Sequence, residues 1–164
     1  IVGLPAMGAL FLTPVFGGVI DRRGRSASMM ILGSGMLIFV HFLYAMPFVD
    51  QWWVAVALMV ILGIAFSLWP AVAKIFPVHQ LGTAYALIFF IQNIGLWGVP
   101  NLIGTIQEHY CVVGRTPQGA SIYDYTLPML VFCGFAVLSV AVSILLKKAD
   151  RRYGYGLELP NIQK

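Results

Sequence analysis

Gly17-Gly18-Val19-Ile20-Asp21-Arg22-Arg23-Gly24-Arg25-Ser26 divides two apolar runs, one before it from Ile1 to Ile20 and one after it from Ala27 to Met46. Each run has about the 20 residues that a helix needs to cross the roughly 30 Å hydrocarbon core of a bilayer. The pattern then repeats. Apolar stretches run from Trp52 to about Ala73, from Leu81 to about Ile106 and from Thr126 to Leu146, closed by Lys74 and Pro77, by Glu108 and by Lys147-Lys148. Of the 164 residues, 60% are hydrophobic and 10% charged, with a mean hydropathy of +0.87. A soluble domain carries about 25% charged residues, so a disordered chain, a nucleic-acid module and a water-soluble globule are excluded. The net charge of +4 sits between the apolar runs, where basic residues set membrane topology. The expected fold class is an all-α membrane protein with five transmembrane helices at about 1–20, 27–46, 52–73, 81–106 and 126–146, followed by a tail at 147–164. None of the five alternates as a membrane β-strand does.

Short links make neighbouring spans antiparallel, so the connections alternate between sides. Arg22, Arg23, Arg25, Lys74 and the five basic residues of the tail fall on one side, and Arg115 alone on the other. The positive-inside rule places the first group, and with it the C-terminus, in the cytoplasm. Trp52, Trp53, Tyr110, Tyr123 and Tyr125 fall at the opposite boundary, where amphipathic rings belong. The stretch 107–125, with Gly114, Pro117 and Gly119, reads as an exposed loop, and Cys111 within it as unpaired. Ile1 opens the chain inside an apolar run with no charged segment before it and no cleavage signal after it. It does not read as a signal peptide, and further sequence upstream is expected.

Within the quoted stretch, Gly17 suits close approach of a neighbouring helix. Asp21 is placed to face the positive end of an adjacent helix, Gly24 permits a tight reversal, and Ser26 is a candidate N-cap for the second span. The alternative is an ordinary basic loop that fixes topology. The pattern Gly17-x-x-x-Asp21-Arg22-x-Gly24-Arg25 resembles the signature cytoplasmic loop of the major facilitator superfamily, which occurs once in each half of a twelve-helix transporter. Four spans and a cytoplasmic end follow it here, as they follow the second copy, so the five spans resemble helices eight to twelve. The stretches Ser67-Leu68-Trp69-Pro70-Ala71-Val72-Ala73-Lys74, Gln80-Leu81-Gly82-Thr83-Ala84-Tyr85 and Ile91-Gln92-Asn93-Ile94-Gly95 resemble the branch that holds the lysosomal dipeptide transporters. The tail Gly154-Tyr155-Gly156-Leu157-Glu158-Leu159-Pro160-Asn161-Ile162 resembles bacterial members from the Bacteroidetes.

The resemblance implies a secondary transporter of small organic solutes, dipeptides first and with proton coupling, working by alternating access of two six-helix bundles. It also implies a bacterial inner membrane location and a partner in the N-terminal half of the same chain. In the superfamily the loop aspartate pairs with a basic residue at the cytoplasmic end of the helix two further on. That position is Lys74 here, so Asp21 is expected to pair with Lys74 or with Arg25; a Lys74 that only snorkels to the headgroups is the other reading. Gln92 and Asn93 lie in mid-span, where polar groups face protein or a water-filled cavity. Tyr85 and Phe89 share a face with Gln92. Trp69, Tyr85 and Gln92, with Asn93 in reserve, are therefore candidate solute contacts, with interhelical bonding as the alternative. Pro70 is expected to kink the third span, and Pro100 the fourth.

His41 reads as a satisfied interhelical histidine. The faces Gly63-x-x-x-Ser67 and Ser139-x-x-x-Ser143 read as helix-packing surfaces. No Asp or Glu lies within a span, and no HExxH or CxxC spacing occurs, so neither a metal, a cofactor nor a membrane-embedded enzyme is expected. A non-transporting membrane scaffold or receptor that keeps the fold is the alternative function.

Overall fold

The computed structural model describes residues 4–46, 52–67 and 75–160. Among them are five α-helices: α1 (Leu4–Arg23), α2 (Ser26–Tyr44), α3 (Trp52–Ser67), α4 (Leu81–Tyr110) and α5 (Thr126–Tyr153). A 3₁₀ turn (Val78–Gln80) leads into α4, and a hairpin of β1 (Val112–Arg115) and β2 (Ser121–Tyr123) joins α4 to α5. Among the described residues, three stretches are long and apolar enough to cross a membrane: Ser26–Tyr44, Val78–Tyr110 and Thr126–Tyr153. The chain is an all-α integral membrane protein.

Two boundaries run beyond the apolar runs. α4 continues to Tyr110 and α5 to Tyr153, so Lys147, Lys148, Arg151 and Arg152 extend a helix where a tail was expected. Hydropathy marks where a chain leaves lipid, whereas a helix made of good helix formers keeps its hydrogen bonds in water. The stretch 107–125 is likewise no plain loop. Its strands pair Val112 with Tyr123 and Arg115 with Ser121, and Cys111, free but only 2% exposed, sits just before them with its carbonyl accepting from Asp124 N–H.

α2 packs antiparallel along α5, and small residues set the spacing. The Ser34 and Ser139 hydroxyls share a hydrogen bond of 2.7 Å. Cys133 Sγ lies 3.9 Å from the Ile38 carbonyl, and Ala136 and Ser143 are buried. Lipid offers helices no hydrophobic drive to associate, so close small-residue contact and interhelical hydrogen bonds must supply it. The Ser139–Ser143 face is thus a packing face, as its spacing suggests; the side chains of Gly63 and Ser67 lie outside the described residues. His41 is satisfied within its own helix rather than between helices, with Nδ1 2.8 Å from the Leu37 carbonyl and its ring 5.4 Å from that of Phe132 on α5. At the far end of α2, the Tyr44 hydroxyl donates to the Ala55 carbonyl of α3.

α4 stands apart. It buries Ala84 alone among its residues, while Phe89, Phe90, Ile91, Leu96 and Trp97 are more than half exposed. A helix that is apolar all round needs lipid or other helices about it. Pro100 leaves α4 unbroken, and the side chains of Asn101 and Thr105 bond back to the Trp97 and Asn101 carbonyls of their own helix.

Candidate functional site

The α1–α2 turn is built from two consecutive left-handed residues, Gly24 (φ 72°) and Arg25 (φ 67°). Gly24 ends α1 as a C′ glycine does, its N–H donating to the Ile20 carbonyl at 2.8 Å. Arg25 pays a steric cost in that region because its Cβ crowds the backbone. The expected N-cap does not form. Ser26 is already the first residue of α2, the N-cap position belongs to Arg25, and the buried Ser26 hydroxyl has no partner among the described residues.

The cap comes from the far end of the chain. Gly154 (φ 70°) stops α5, its N–H donating to the Asp150 carbonyl, and the chain turns back across the α1–α2 turn. Arg25 N–H donates to the Glu158 carbonyl at 3.1 Å and Ser26 N–H to the Leu157 carbonyl at 2.9 Å. The Glu158 carboxylate accepts from Ser28 N–H at 2.9 Å and from the Ser28 hydroxyl at 2.7 Å. Lys147 donates to the Ser28 oxygen at 2.5 Å and lies 3.7 Å from the carboxylate. Leu157 N–H donates to Asp150 Oδ1 at 2.9 Å. Orphan N–H groups of the first helical turn thus find acceptors on residues 157 and 158, and a carboxylate stands at the positive end of α2. Burial pushes the Glu158 carboxyl up, but its bonds from Ser28 and the Lys147 charge outweigh that and hold it below the ordinary value.

Leu157 is fully buried against Ala27, with Met30, Ile75 and Leu146 packed around them. The α1–α2 turn, the segment entering the 3₁₀ turn and the C-terminal segment therefore meet at one end of the bundle. Asp21 is half-buried and engaged, and Arg22 and Arg25 are exposed. Lys74, Pro70 and Trp69 lie outside the described residues. A Cβ at Gly17 would meet nothing within 4 Å among the described residues.

The α4 polar strip is less uniform than its spacing suggests. One face of α4, from Gln92 through Gly95, Val99 and Ile103 to Gln107, lines an open cleft of about 720 Å³ to which α5 contributes Phe132. Gln92 Oε1 is buried there without a hydrogen-bond partner, an arrangement that costs free energy unless a further donor arrives. Tyr85 and Asn93 do not line this cleft. Tyr85 stacks on Phe89 with ring centroids 6.4 Å apart, and exposed Asn93 bonds back to the Phe89 carbonyl at 2.7 Å. The cleft instead extends to Gln107, which lies on the same stripe as Gln92; the i, i+3, i+7 spacing of Gly95 and Val99 between them is the signal in the sequence. Among the described residues no group of three His, Cys, Asp or Glu is placed to hold a metal ion.

Comparison with known proteins finds relatives along much of the chain. It is 35% identical to the lysosomal dipeptide transporter MFSD1 of Mus musculus over 102 residues, 59% of this chain and 21% of that protein. The MFSD1 proteins of Gallus gallus and Homo sapiens are 37% and 33% identical over 102 residues, 59% of this chain and 22% and 21% of theirs. The chain thus spans about a fifth of the length of the curated relatives it matches. No family model matches it, and no solved structure matches it significantly.

Proposed function

We propose that this chain, a relative of the major facilitator superfamily transporters, forms part of a secondary transporter that moves small organic solutes across a membrane, with dipeptides the first candidates. The observation that carries the reading is its identity of 33–37% to lysosomal dipeptide transporters. Exposed α4 supports it: a helix with an apolar surface, a half-buried glutamine whose Oε1 lacks a described partner and a cleft along one face is suited to line a path between helices. The remaining walls of that path come from other helices of the full-length protein. The transport cycle is alternating access by rocking of two helix bundles about a site near the midplane, and protons are the proposed coupling ion. Gln92 is the leading solute contact, with Tyr85, Asn93 and Trp69 as further candidates. Asp21, Arg22 and Arg25 act from the α1–α2 turn, with Lys74 as the proposed partner of Asp21. The distribution of basic residues supports a cytoplasmic C-terminus, and the resemblance of the tail to bacterial members supports a bacterial inner membrane.

The test is uptake of labelled dipeptides by the full-length protein in proteoliposomes, with and without an imposed pH gradient. Saturable uptake that Gln92→Ala weakens is the expected result. Absence of uptake for every dipeptide refutes the substrate class.

A further inference from the structure

We propose that the segment Gly154–Pro160 is a strap that positions the α1–α2 turn, with Glu158 as the positioning residue, so that docking of this segment sets the geometry from which Asp21, Arg22 and Arg25 act. The proposal rests on the transporter reading above for its effect on transport, but not for the docking itself.

Three independent features of the structure converge on it. The turn is intrinsically unfavourable, because Arg25 is held left-handed immediately after left-handed Gly24; non-glycine residues persist there only where surrounding structure over-determines them. What surrounds Arg25 is the strap, whose Glu158 and Leu157 carbonyls take the N–H groups of Arg25 and Ser26. The fit is also close. A Cβ at Gly24 would lie 2.4 Å from the Glu158 carbonyl oxygen and 2.7 Å from Pro160 N, so turn and strap cannot move separately without parting. Finally, the strap is tied to α5 as well as to α2: Lys147 lies 3.7 Å from the Glu158 carboxylate and Asp150 accepts from Leu157 N–H. A displacement of the end of α5 is therefore transmitted to the turn, and the reverse.

Ser26 supplies the probe. It is fully buried beneath the strap and its hydroxyl lacks a partner among the described residues, so Ser26→Cys is a mild change that reports exposure. In the full-length protein stripped of other cysteines, Ser26→Cys should resist maleimide. Glu158→Ala should speed labelling by roughly ten- to a hundred-fold, the range for losing hydrogen bonds to a charged group. Glu158→Gln keeps an acceptor for Ser28 N–H but loses the Lys147 ion pair and the second oxygen that accepts from the Ser28 hydroxyl, so labelling should rise, but by less than with Glu158→Ala. In proteoliposomes Glu158→Ala should lower the maximal rate of dipeptide uptake by about ten-fold or more with KM unchanged, and Glu158→Gln should restore most of it. Rapid labelling with Glu158 intact, or no change on Glu158→Ala, overturns the strap. Faster labelling with an unchanged rate of uptake overturns the positioning role. Protection that Glu158→Ala abolishes, in a protein that takes up no dipeptide, upholds the docking and counts against the substrate reading instead.

Discussion

Gly24→Ala and Gly17→Ala change two glycines of one short stretch, and the structure predicts opposite signs. At Gly24 an L-residue meets two penalties. The φ of 72° costs it about 1–2 kcal/mol relative to the right-handed regions. The added Cβ would also stand 2.4 Å from the Glu158 carbonyl oxygen, 2.5 Å from Leu159 C and 2.7 Å from Pro160 N. These are all backbone atoms, so no rotamer change relieves the overlap. Relief requires the strap to shift, which strips an Arg25 or Ser26 N–H of its acceptor at about 1–3 kcal/mol for a group that stays buried and unpaired. The expected loss is about 2–5 kcal/mol, the backbone term plus one such group. At Gly17 the backbone is helical and no described atom lies within 4 Å, so alanine should stabilise by about 0.5–1 kcal/mol through lower chain entropy alone. Equilibrium unfolding of the two variants beside the parent, in the same mixed micelles, measures the gap. Equal stabilities, or Gly24→Ala at parental stability, would refute the packing of residues 158–160 against the turn.

Further consequences follow from the same contacts. Arg25→Gly relieves the left-handed strain and should be neutral to about 1 kcal/mol stabilising, while uptake falls; a large loss of stability in unfolding measurements would contradict this. Leu157→Ala would cost about 2–5 kcal/mol in a closed core, but the strap can lift, so its loss cannot exceed that of deleting residues 154–160, and unfolding of both variants compares them. For Ser34 and Ser139, a double-mutant cycle to alanine should return a coupling of about 0.6 kcal/mol, as for interhelical bonds in membranes; zero coupling removes their bond. Glu158 is held below its ordinary value of 4.5, so its contribution is fully present above that value and lost as pH falls through the lowered one. The difference in unfolding midpoint between parent and Glu158→Gln should therefore be flat from about pH 8 to 5 and shrink only below the usual carboxylate range near pH 4.

How much of this was legible in the sequence depends on the range of the interaction. Apolar runs of bilayer length reveal helices because each residue contributes to one local sum, and Gly24 reveals a reversal because its preference is its own. Glu158 belongs to no period, and its role exists only because the α2–α5 register, fixed by Ser34 against Ser139 and Ile38 against Cys133, returns the end of α5 to the start of α2. Ser26 shows the consequence. By local rules it is a good cap, but the acceptors delivered by Leu157 and Glu158 reach the same N–H groups and leave its hydroxyl buried without a described partner. At Gln92 a mid-span polar group points to protein or cavity, but not to which face opens; the cleft runs toward Gln107, where Phe132 of α5 joins its lining, and does not include Tyr85.

The placement of strain argues for what the turn does. A turn needed only to reverse the chain could carry glycine at both left-handed positions, yet the second holds an arginine whose side chain is exposed. Its backbone penalty of about 1–2 kcal/mol is offset by Leu157 and Glu158 on a separate segment, so the conformation of the turn depends on whether that segment is docked. An exposed cation held in an unfavourable backbone state by a detachable support suits a part that must adopt one geometry and then leave it. If Arg25→Gly raised stability and left uptake intact, the arginine would be incidental to transport and this link from strain to function would fail.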